Sequence, residues 1–146
     1  MNNNYGIDIW SDGNFIIEDG LAKVNHDCKP SLISIVKDIR KQDFKGPLLL
    51  RFPHITNKQI TTLFDTFNAS IKEYDYKGTF SAVFPLKVNQ LPNFVHPLVS
   101  IGKKYNYGLE AGSKAELVIA MTYNTIGSPI TINGFKDKEM IHLCFI

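Results

Sequence analysis

The sequence predicts an α/β fold in which short buried strands alternate with helices. Two segments carry this prediction. Residues 79–86 are apolar on both faces of a strand, which is typical of a strand lying between two layers of helices in a parallel sheet. Residues 56–71 repeat apolar side chains at helical spacing directly before it. Strand–helix repeats of this length favour βαβ units with a parallel sheet.

The first part of the chain is predicted to be short strands and turns. Over residues 5–24, Tyr5, Ile7 and Ile9 alternate with polar residues, and turn signals at Asp12-Gly13 and Asp19-Gly20 flank a run from Phe15 to Ile17. After Pro30, helical spacing predicts the first helix, with its apolar stripe at Leu32, Ile35, Val36 and Ile39.

A strand and the clearest helix follow. Pro47–Phe52 indicates a short buried strand closed by Pro53. Thr56 and Gln59 fit a capping box at the start of the helix, and Gly78 is expected to end it. Its stripe is formed by Ile60, Leu63, Phe64, Phe67 and Ile71. The strand over residues 79–86 then ends just before Lys87.

Further helices and strands complete the pattern. The expected elements are a helix over residues 92–103 that Pro97 should kink or shorten, a strand over 107–111, a helix over 113–123, a strand over 130–133 and a helix from Asp137 onward. No helix stop signal precedes Ile146. Only about four strand–helix units follow residue 46, and a complete eightfold barrel needs about 250 residues. We therefore expect an N-terminal segment over residues 1–46, an incomplete barrel over 47–146, and a chain that is cut.

Composition excludes several classes of protein. The 146 residues are 44% hydrophobic and 21% charged, as in an ordinary globular domain. The net charge of +2 and the scattered lysines argue against nucleic acid. No apolar run is long enough to span a bilayer, and the first residues do not resemble a signal peptide. Cys28 and Cys144 lack metal-ligand spacing and are expected to be free thiols, which predicts a cytoplasmic protein.

Lys87 is the strongest candidate for a catalytic residue. A lysine chosen at random is most often a solvated surface charge. Lys87, however, ends an apolar strand, and groups at the carboxyl ends of barrel strands face the active site. A primary amine in that place can form a Schiff base with an aldehyde. From position alone, the surface charge and the catalytic amine remain equally open.

Glu110, at the end of the next predicted strand, is the second candidate. A carboxylate one strand away from Lys87 could pair with its protonated amine. Ser113 and Glu116 fit a capping box, which is the simpler explanation for both. Asn133 and Lys136 could line the site and are given no role, and Asp137 fits a helix N-cap. The four histidines show no metal-ligand spacing.

Two motifs resemble biosynthetic arginine decarboxylase, a pyridoxal-phosphate enzyme of the alanine-racemase-like barrel group. They are Phe84-Pro85-Leu86-Lys87-Val88-Asn89-Gln90 and the run from Gly108 to Leu117, and the resemblance extends from Tyr5 to Ile146. It covers about the first quarter of that family's length. Phe84 departs from the tyrosine that the family commonly carries.

The resemblance implies a specific chemistry. The fold would be a partial (β/α) barrel of the alanine-racemase-like type, preceded by a short β segment. Lys87 would bind pyridoxal phosphate as a Schiff base, Glu110 would be catalytic, and Ser113 and Glu116 would contact the cofactor. The whole enzyme would convert L-arginine to agmatine and CO2 in polyamine (spermidine) biosynthesis, as a homo-oligomer. The resemblance also implies Mg²⁺, for which no ligand is assigned here.

Three alternatives remain beside this interpretation. The first keeps the fold and changes the substrate to diaminopimelate, ornithine or carboxynorspermidine. The second is a non-catalytic protein that binds pyridoxal phosphate, and the third is an α/β binding domain without a cofactor. Barrel phosphate sites usually come from the loops after the seventh and eighth strands, which these residues do not include. The chain on its own is therefore expected to be inactive and to bind the cofactor weakly, and its open sheet edge is expected to favour association.

Overall fold

The structure, a computed structural model, describes residues 4–145. They form two compact units, one ending at Arg51 and one beginning at Phe52. The chain is a mixed α/β structure, as the sequence predicts, with one small sheet in each unit. Within residues 4–145, no helix has both the length and the apolar character needed to cross a bilayer.

The first unit is built around a β-hairpin. Strand β1 (Phe15–Glu18) pairs with β2 (Leu21–Val24) in antiparallel register, with Glu18 opposite Leu21. Asp19 and Gly20 form the two-residue loop with φ of 54° and 72°, the left-handed conformation that tight hairpin loops require. A short helix, α1 (Ile7–Trp10), precedes the hairpin. Helix α2 (Leu32–Arg40) follows it and is capped by Ser31, whose hydroxyl accepts a hydrogen bond from the Ser34 N–H. The predicted strand at Phe15–Ile17, the turn at Asp19-Gly20 and the helix after Pro30 are confirmed.

The predicted strand at Tyr5–Ile9 is wrong. This segment is a 3₁₀ turn over Asn4–Gly6 followed by α1. Only Ile7 of the three alternating residues is buried, while Tyr5 and Ile9 are more than four-fifths exposed. The alternation therefore did not mark a buried face, and positive φ at Tyr5 and Gly6 turns the chain away from an extended path.

The second unit begins with the 21-residue helix α3 (Pro53–Glu73). The predicted capping box is wrong, because the helix starts three residues before Thr56, with Pro53 in the first position. Proline suits that position since its φ is already helical and its missing N–H would have had no partner. The helix also ends at Glu73, before Gly78. The predicted strand over residues 47–52 is wrong, because the described chain has no strand there.

A three-stranded parallel sheet forms the centre of the second unit. Its order is β3 (Val83–Pro85), β4 (Gly108–Ala111) and β5 (Ile130–Ile132), with Pro85 opposite Glu110 and Glu110 opposite Thr131. Helix α4 (Pro92–Gly102) connects the first two strands, and α5 (Lys114–Tyr123) connects the last two. Helix α6 (Lys138–Leu143) follows β5. The predicted strand over residues 79–86 is thus confirmed only at its carboxyl end.

The core of this unit lies between the sheet and its helices. Pro97 lies inside α4 without ending it. Phe64 is 3% exposed and stacks on Tyr105, with ring centroids 4.5 Å apart. The remaining buried apolar residues come from every layer of the unit: Ile60, Leu86, Val95, Leu98, Val99, Leu109, Ala111, Leu117, Ala120 and Met140. Because all three strands point the same way over this core, their carboxyl ends meet at one edge.

Candidate active site

The carboxyl ends of the three parallel strands bring the predicted site residues together. Lys87 lies in a 3₁₀ turn (Leu86–Val88) immediately after β3. Glu110 is the third residue of β4, and its register partner on β3 is Pro85. Asn133 is the first residue after β5. Successive strands of a parallel sheet therefore supply an amine, a carboxylate and an amide side by side.

Lys87 and Glu110 form a long ion pair. The Lys87 Nζ lies 4.0 Å from the Glu110 Oε1. The lysine side chain is 63% exposed, whereas the glutamate side chain is only 14% exposed. At this separation and exposure, the pair contributes little to stability. Its significance is geometric, because it sets a carboxylate beside an accessible primary amine.

Asn133 fixes the orientation of the Glu110 carboxylate. The Asn133 Nδ2 donates to Glu110 Oε1 over 3.1 Å, and this is the same oxygen that faces Lys87. The Asn133 Oδ1 in turn accepts a hydrogen bond from the Gly134 N–H over 2.8 Å. An amide held at one end by the backbone is therefore a directed donor at the other. Sequence reasoning placed Asn133 near the site without a role, and the geometry supplies one.

Glu116 is a buried carboxylate that is already hydrogen-bonded. It is 8% exposed, and its Oε2 accepts from the Gly112 N–H over 2.7 Å. Its Oε1 accepts from the Gln90 Nε2 over 2.8 Å. Ser113 is the N-cap of α5, and its hydroxyl accepts from the Glu116 N–H over 3.2 Å. The predicted capping box is confirmed for the serine, but the glutamate returns to Gly112 instead of the Ser113 N–H.

A second charged cluster joins the start of α5 to the start of α6. The Lys114 Nζ contacts Asp137 Oδ2 over 2.8 Å and also contacts Glu139. Hydrogen bonds to these two carboxylates raise the pKa of the Lys114 amine, and the same lysine lowers the pKa of Asp137. Asp137 also caps α6 by accepting from the Met140 N–H over 2.9 Å, as the sequence predicts. Lys136 Nζ donates to a backbone oxygen of the turn after β5 and does not contact Glu110.

Residues 4–145 hold no group of three histidine, cysteine or carboxylate side chains that could bind a metal ion. Cys28 and Cys144 are free and exposed. Gln90 ends the motif that begins at Phe84, but sequence reasoning assigned it no role.

The arrangement fits one kind of chemistry. An exposed primary amine can bind a carbonyl compound covalently, and the neighbouring carboxylate can balance a positive charge on that amine or on the nitrogen of a bound substrate. Lys87 and Glu110 are brought together as the sequence predicts. Ser113 and Glu116 lie at the start of α5. The Ser113 hydroxyl caps this helix, and the Glu116 carboxylate binds Gln90 in the loop after Lys87.

Two curated relatives of this chain are both named biosynthetic arginine decarboxylase. The chain is 38% identical over 146 residues to biosynthetic arginine decarboxylase from Tolumonas auensis, and the match covers 94% of this chain and 23% of that protein. It is 43% identical over 116 residues to biosynthetic arginine decarboxylase from Gloeobacter violaceus, covering 79% of this chain and 18% of that protein. No protein-family model matches the chain.

A solved structure agrees with these relatives. The crystal structure of biosynthetic arginine decarboxylase SpeA from Campylobacter jejuni superposes with a TM-score of 0.93 at 59% sequence identity. The match covers 96% of this chain and 24% of that one. The resemblance expected from the sequence is confirmed: this chain is a relative of the biosynthetic arginine decarboxylases. It spans about a quarter of their length.

Proposed function

From this similarity, we propose that the chain is the lysine-bearing part of a decarboxylase that converts L-arginine to agmatine and CO2 with pyridoxal phosphate. The observation that supports this most directly is the placement of the Lys87 amine 4.0 Å from the Glu110 carboxylate, at the ends of two adjacent parallel strands. The barrel is part of the same proposal. Parallel neighbours in the chain order β3-β4-β5, each followed by a helix, are how consecutive units of a (β/α) barrel pair.

The accessibility of the Lys87 amine supports the proposal that this residue binds pyridoxal phosphate. Covalent attachment of an aldehyde needs an accessible primary amine, and the Lys87 side chain is 63% exposed at the edge where the strands end. Lys87 is the residue proposed to hold the cofactor. When bound, pyridoxal phosphate draws electrons from the α-carbon of an amino acid and so permits loss of its carboxylate as CO2.

The chain's own side chains would contribute charge and a proton. Glu110 Oε1 faces the Lys87 amine and compensates its positive charge when the amine carries a proton. Asn133 donates to the same oxygen and keeps it directed at the site. In this proposal the Lys87 Nζ delivers the proton that replaces the lost carboxylate at the α-carbon. The Ser113 and Glu116 contacts to the cofactor, implied by the resemblance, remain predictions.

Further properties belong to the same proposal. Two exposed free thiols favour a reducing compartment, so we place the reaction in the cytoplasm. The whole protein is proposed to be a homo-oligomer active in polyamine synthesis. The chain alone is expected to be inactive, because the parallel sheet of the described residues has three strands and a closed barrel needs eight.

The test uses the full-length protein that contains this chain. With pyridoxal phosphate and L-arginine, it should release CO2 and agmatine in equal amounts. Lys87→Ala should lower the rate by about 10³-fold or more, since it removes both covalent attachment and proton transfer. Lys77→Ala, which changes an exposed lysine paired with Asp75, is the matched control and should retain the parent rate. Product from ornithine or diaminopimelate but none from arginine would refute the substrate.

A further inference from the structure

Lys87 lies in a short segment with an anchor on each side. Immediately before it, Leu86 is 0% exposed and belongs to the core of the second unit. Three residues after it, Gln90 donates its side-chain N–H to Glu116. The lysine between them is exposed, so its own side chain does little to hold the segment in place. The path of the backbone from Leu86 to Gln90 therefore decides where the amine lies.

The anchor at Gln90 is strong because its acceptor is buried and charged. A buried carboxylate must have its oxygens hydrogen-bonded, since an unpaired one would carry the full cost of desolvation. Glu116 is 8% exposed and has two donors, the Gly112 N–H at 2.7 Å and the Gln90 Nε2 at 2.8 Å. The turn that follows Glu110 and the loop that follows Lys87 thus share one carboxylate. Hydrogen bonds to charged groups contribute roughly twice as much as neutral ones.

The rest of the loop is consistent with a fixed path. The Asn89 Oδ1 accepts from the Leu91 N–H over 3.1 Å, which closes a local turn. The Leu91 carbonyl oxygen then accepts the first hydrogen bonds of α4, from Phe94 and Val95. Gln90 lies inside this turn, and its side chain reaches across to Glu116 on α5.

We infer that Gln90 is a positioning residue for Lys87. Through Glu116, it ties the loop after the lysine to the turn after Glu110 and so sets the distance between the amine and the Glu110 carboxylate. The catalytic consequence rests on the function proposed above, whereas the tie itself is a property of this chain. Glu116 acts in the same way, as a link between the two loops.

Four variants separate this role from a general loss of stability. Gln90→Ala removes the donor. Gln90→Glu places a second carboxylate against Glu116, so it should weaken the link between the two loops more than Gln90→Ala does. Glu116→Gln should be tolerated better, because Gln90 can rotate its amide and accept from the new N–H while the Gly112 N–H keeps an oxygen acceptor. The double variant Gln90→Glu/Glu116→Gln reverses the hydrogen bond and restores it, so it should rescue Gln90→Glu.

The effect of the Gln90–Glu116 hydrogen bond on the loop after Lys87 can be measured without cofactor or substrate. Trypsin cleaves after Lys87 only when the segment opens, and cleavage of a transiently opened segment follows the population of the open form. Mass spectrometry would follow the peptide ending at Lys87, with cleavage after Lys77 as the internal reference. Gln90→Ala should raise the relative cleavage rate by about tenfold, as expected for loss of one charged hydrogen bond. Gln42→Ala, at an exposed glutamine, should leave it at the parent value.

Kinetics supply the readout that stability alone would not change. In the full-length enzyme, Gln90→Ala should lower kcat by about tenfold with little change in KM for arginine, because a displaced amine affects the reaction more than substrate binding. The double variant should recover the protection of Lys87 from cleavage, and its kcat should equal that of Glu116→Gln alone, because the reversed hydrogen bond removes the effect of Gln90→Glu. Unchanged cleavage in Gln90→Ala, or no recovery in the double variant, would overturn the inference. Inactivity of the parent would refute the proposed function and leave the proteolysis result to decide the tie.

Discussion

Replacing Gly134 by alanine should destabilise the second unit and separate Asn133 from Glu110. Gly134 has a φ of 73°, a conformation that costs a residue with a Cβ about 1–2 kcal/mol. A Cβ at this position would also lie 2.1 Å from the carbonyl oxygen of Gly112. The turn after β5 would have to move away from the turn after β4 by roughly 1 Å, and such overpacking typically costs about 1–3 kcal/mol.

Substitutions at two other glycines measure separately the cost of positive φ and the cost of the close Cβ contact. Gly127 has a φ of 88°, and no atom lies within 4 Å of the place that a methyl group would occupy, so Gly127→Ala tests the backbone conformation alone. Gly108 instead lies at the opposite end of β4, where a Cβ would meet the carbonyl oxygen of Pro129, so Gly108→Ala tests the close contact alone. We expect about 1 kcal/mol for Gly127→Ala, about 1–3 kcal/mol for Gly108→Ala and about 2–4 kcal/mol for Gly134→Ala.

The assay is urea unfolding followed by far-ultraviolet circular dichroism, beside the rate of arginine decarboxylation by the full-length protein. Gly108→Ala and Gly134→Ala should both lose stability, but only Gly134→Ala acts at the end of the sheet that carries Lys87 and Glu110. Its kcat should therefore fall further than that of Gly108→Ala at equal loss of stability. Equal stability of Gly134→Ala and Gly127→Ala would refute the close contact between the two turns.

Two predictions concern the core and the charged cluster. Phe64→Ala should reduce the free energy of unfolding by about 3–5 kcal/mol, because the ring is buried and stacked on Tyr105, whereas Phe135→Ala, at an 89% exposed ring, should change it by less than about 0.5 kcal/mol. The lowered pKa of Asp137 predicts a stabilising contribution that is present above the ordinary aspartate pKa of about 4 and is lost as the pH falls through the lower pKa of the folded state. In urea unfolding between pH 7 and pH 2, Asp137→Asn should therefore lose less stability on acidification than the parent, and an identical pH dependence would contradict the pair with Lys114.

Local chemistry made part of the fold predictable from the sequence. The Asp19-Gly20 loop was predictable because a two-residue hairpin needs positive φ, which these residue types accept. The order of strands and helices after residue 78 was predictable from the apolar pattern. A strand that is apolar on both faces and is flanked by amphipathic helices is typical of a parallel sheet covered by helices. The start of α3 was not, since a capping motif at Thr56 competed with Pro53, and the proline determined the first turn.

The candidate site was predictable in its residues and less so in its connections. Lys87 and Glu110 could be placed near each other because parallel strands end at the same edge of the sheet. The hydrogen bond from Gln90 to Glu116 could not, since it joins residues 26 positions apart through side chains whose direction depends on the tertiary fold. The capping motif at Ser113 and Glu116 already explained the glutamate by a local contact, so the sequence did not indicate its hydrogen bond with the loop after Lys87.

The turn after β3 joins a fully buried residue to an exposed one. Leu86 lies wholly inside the core, and the next residue, Lys87, extends into solvent. Leu86 and Lys87 are consecutive residues, so a change in core packing at Leu86 shifts the backbone that carries the Lys87 amine. Substitutions around Leu86 should therefore change the reactivity of the Lys87 amine before they unfold the protein.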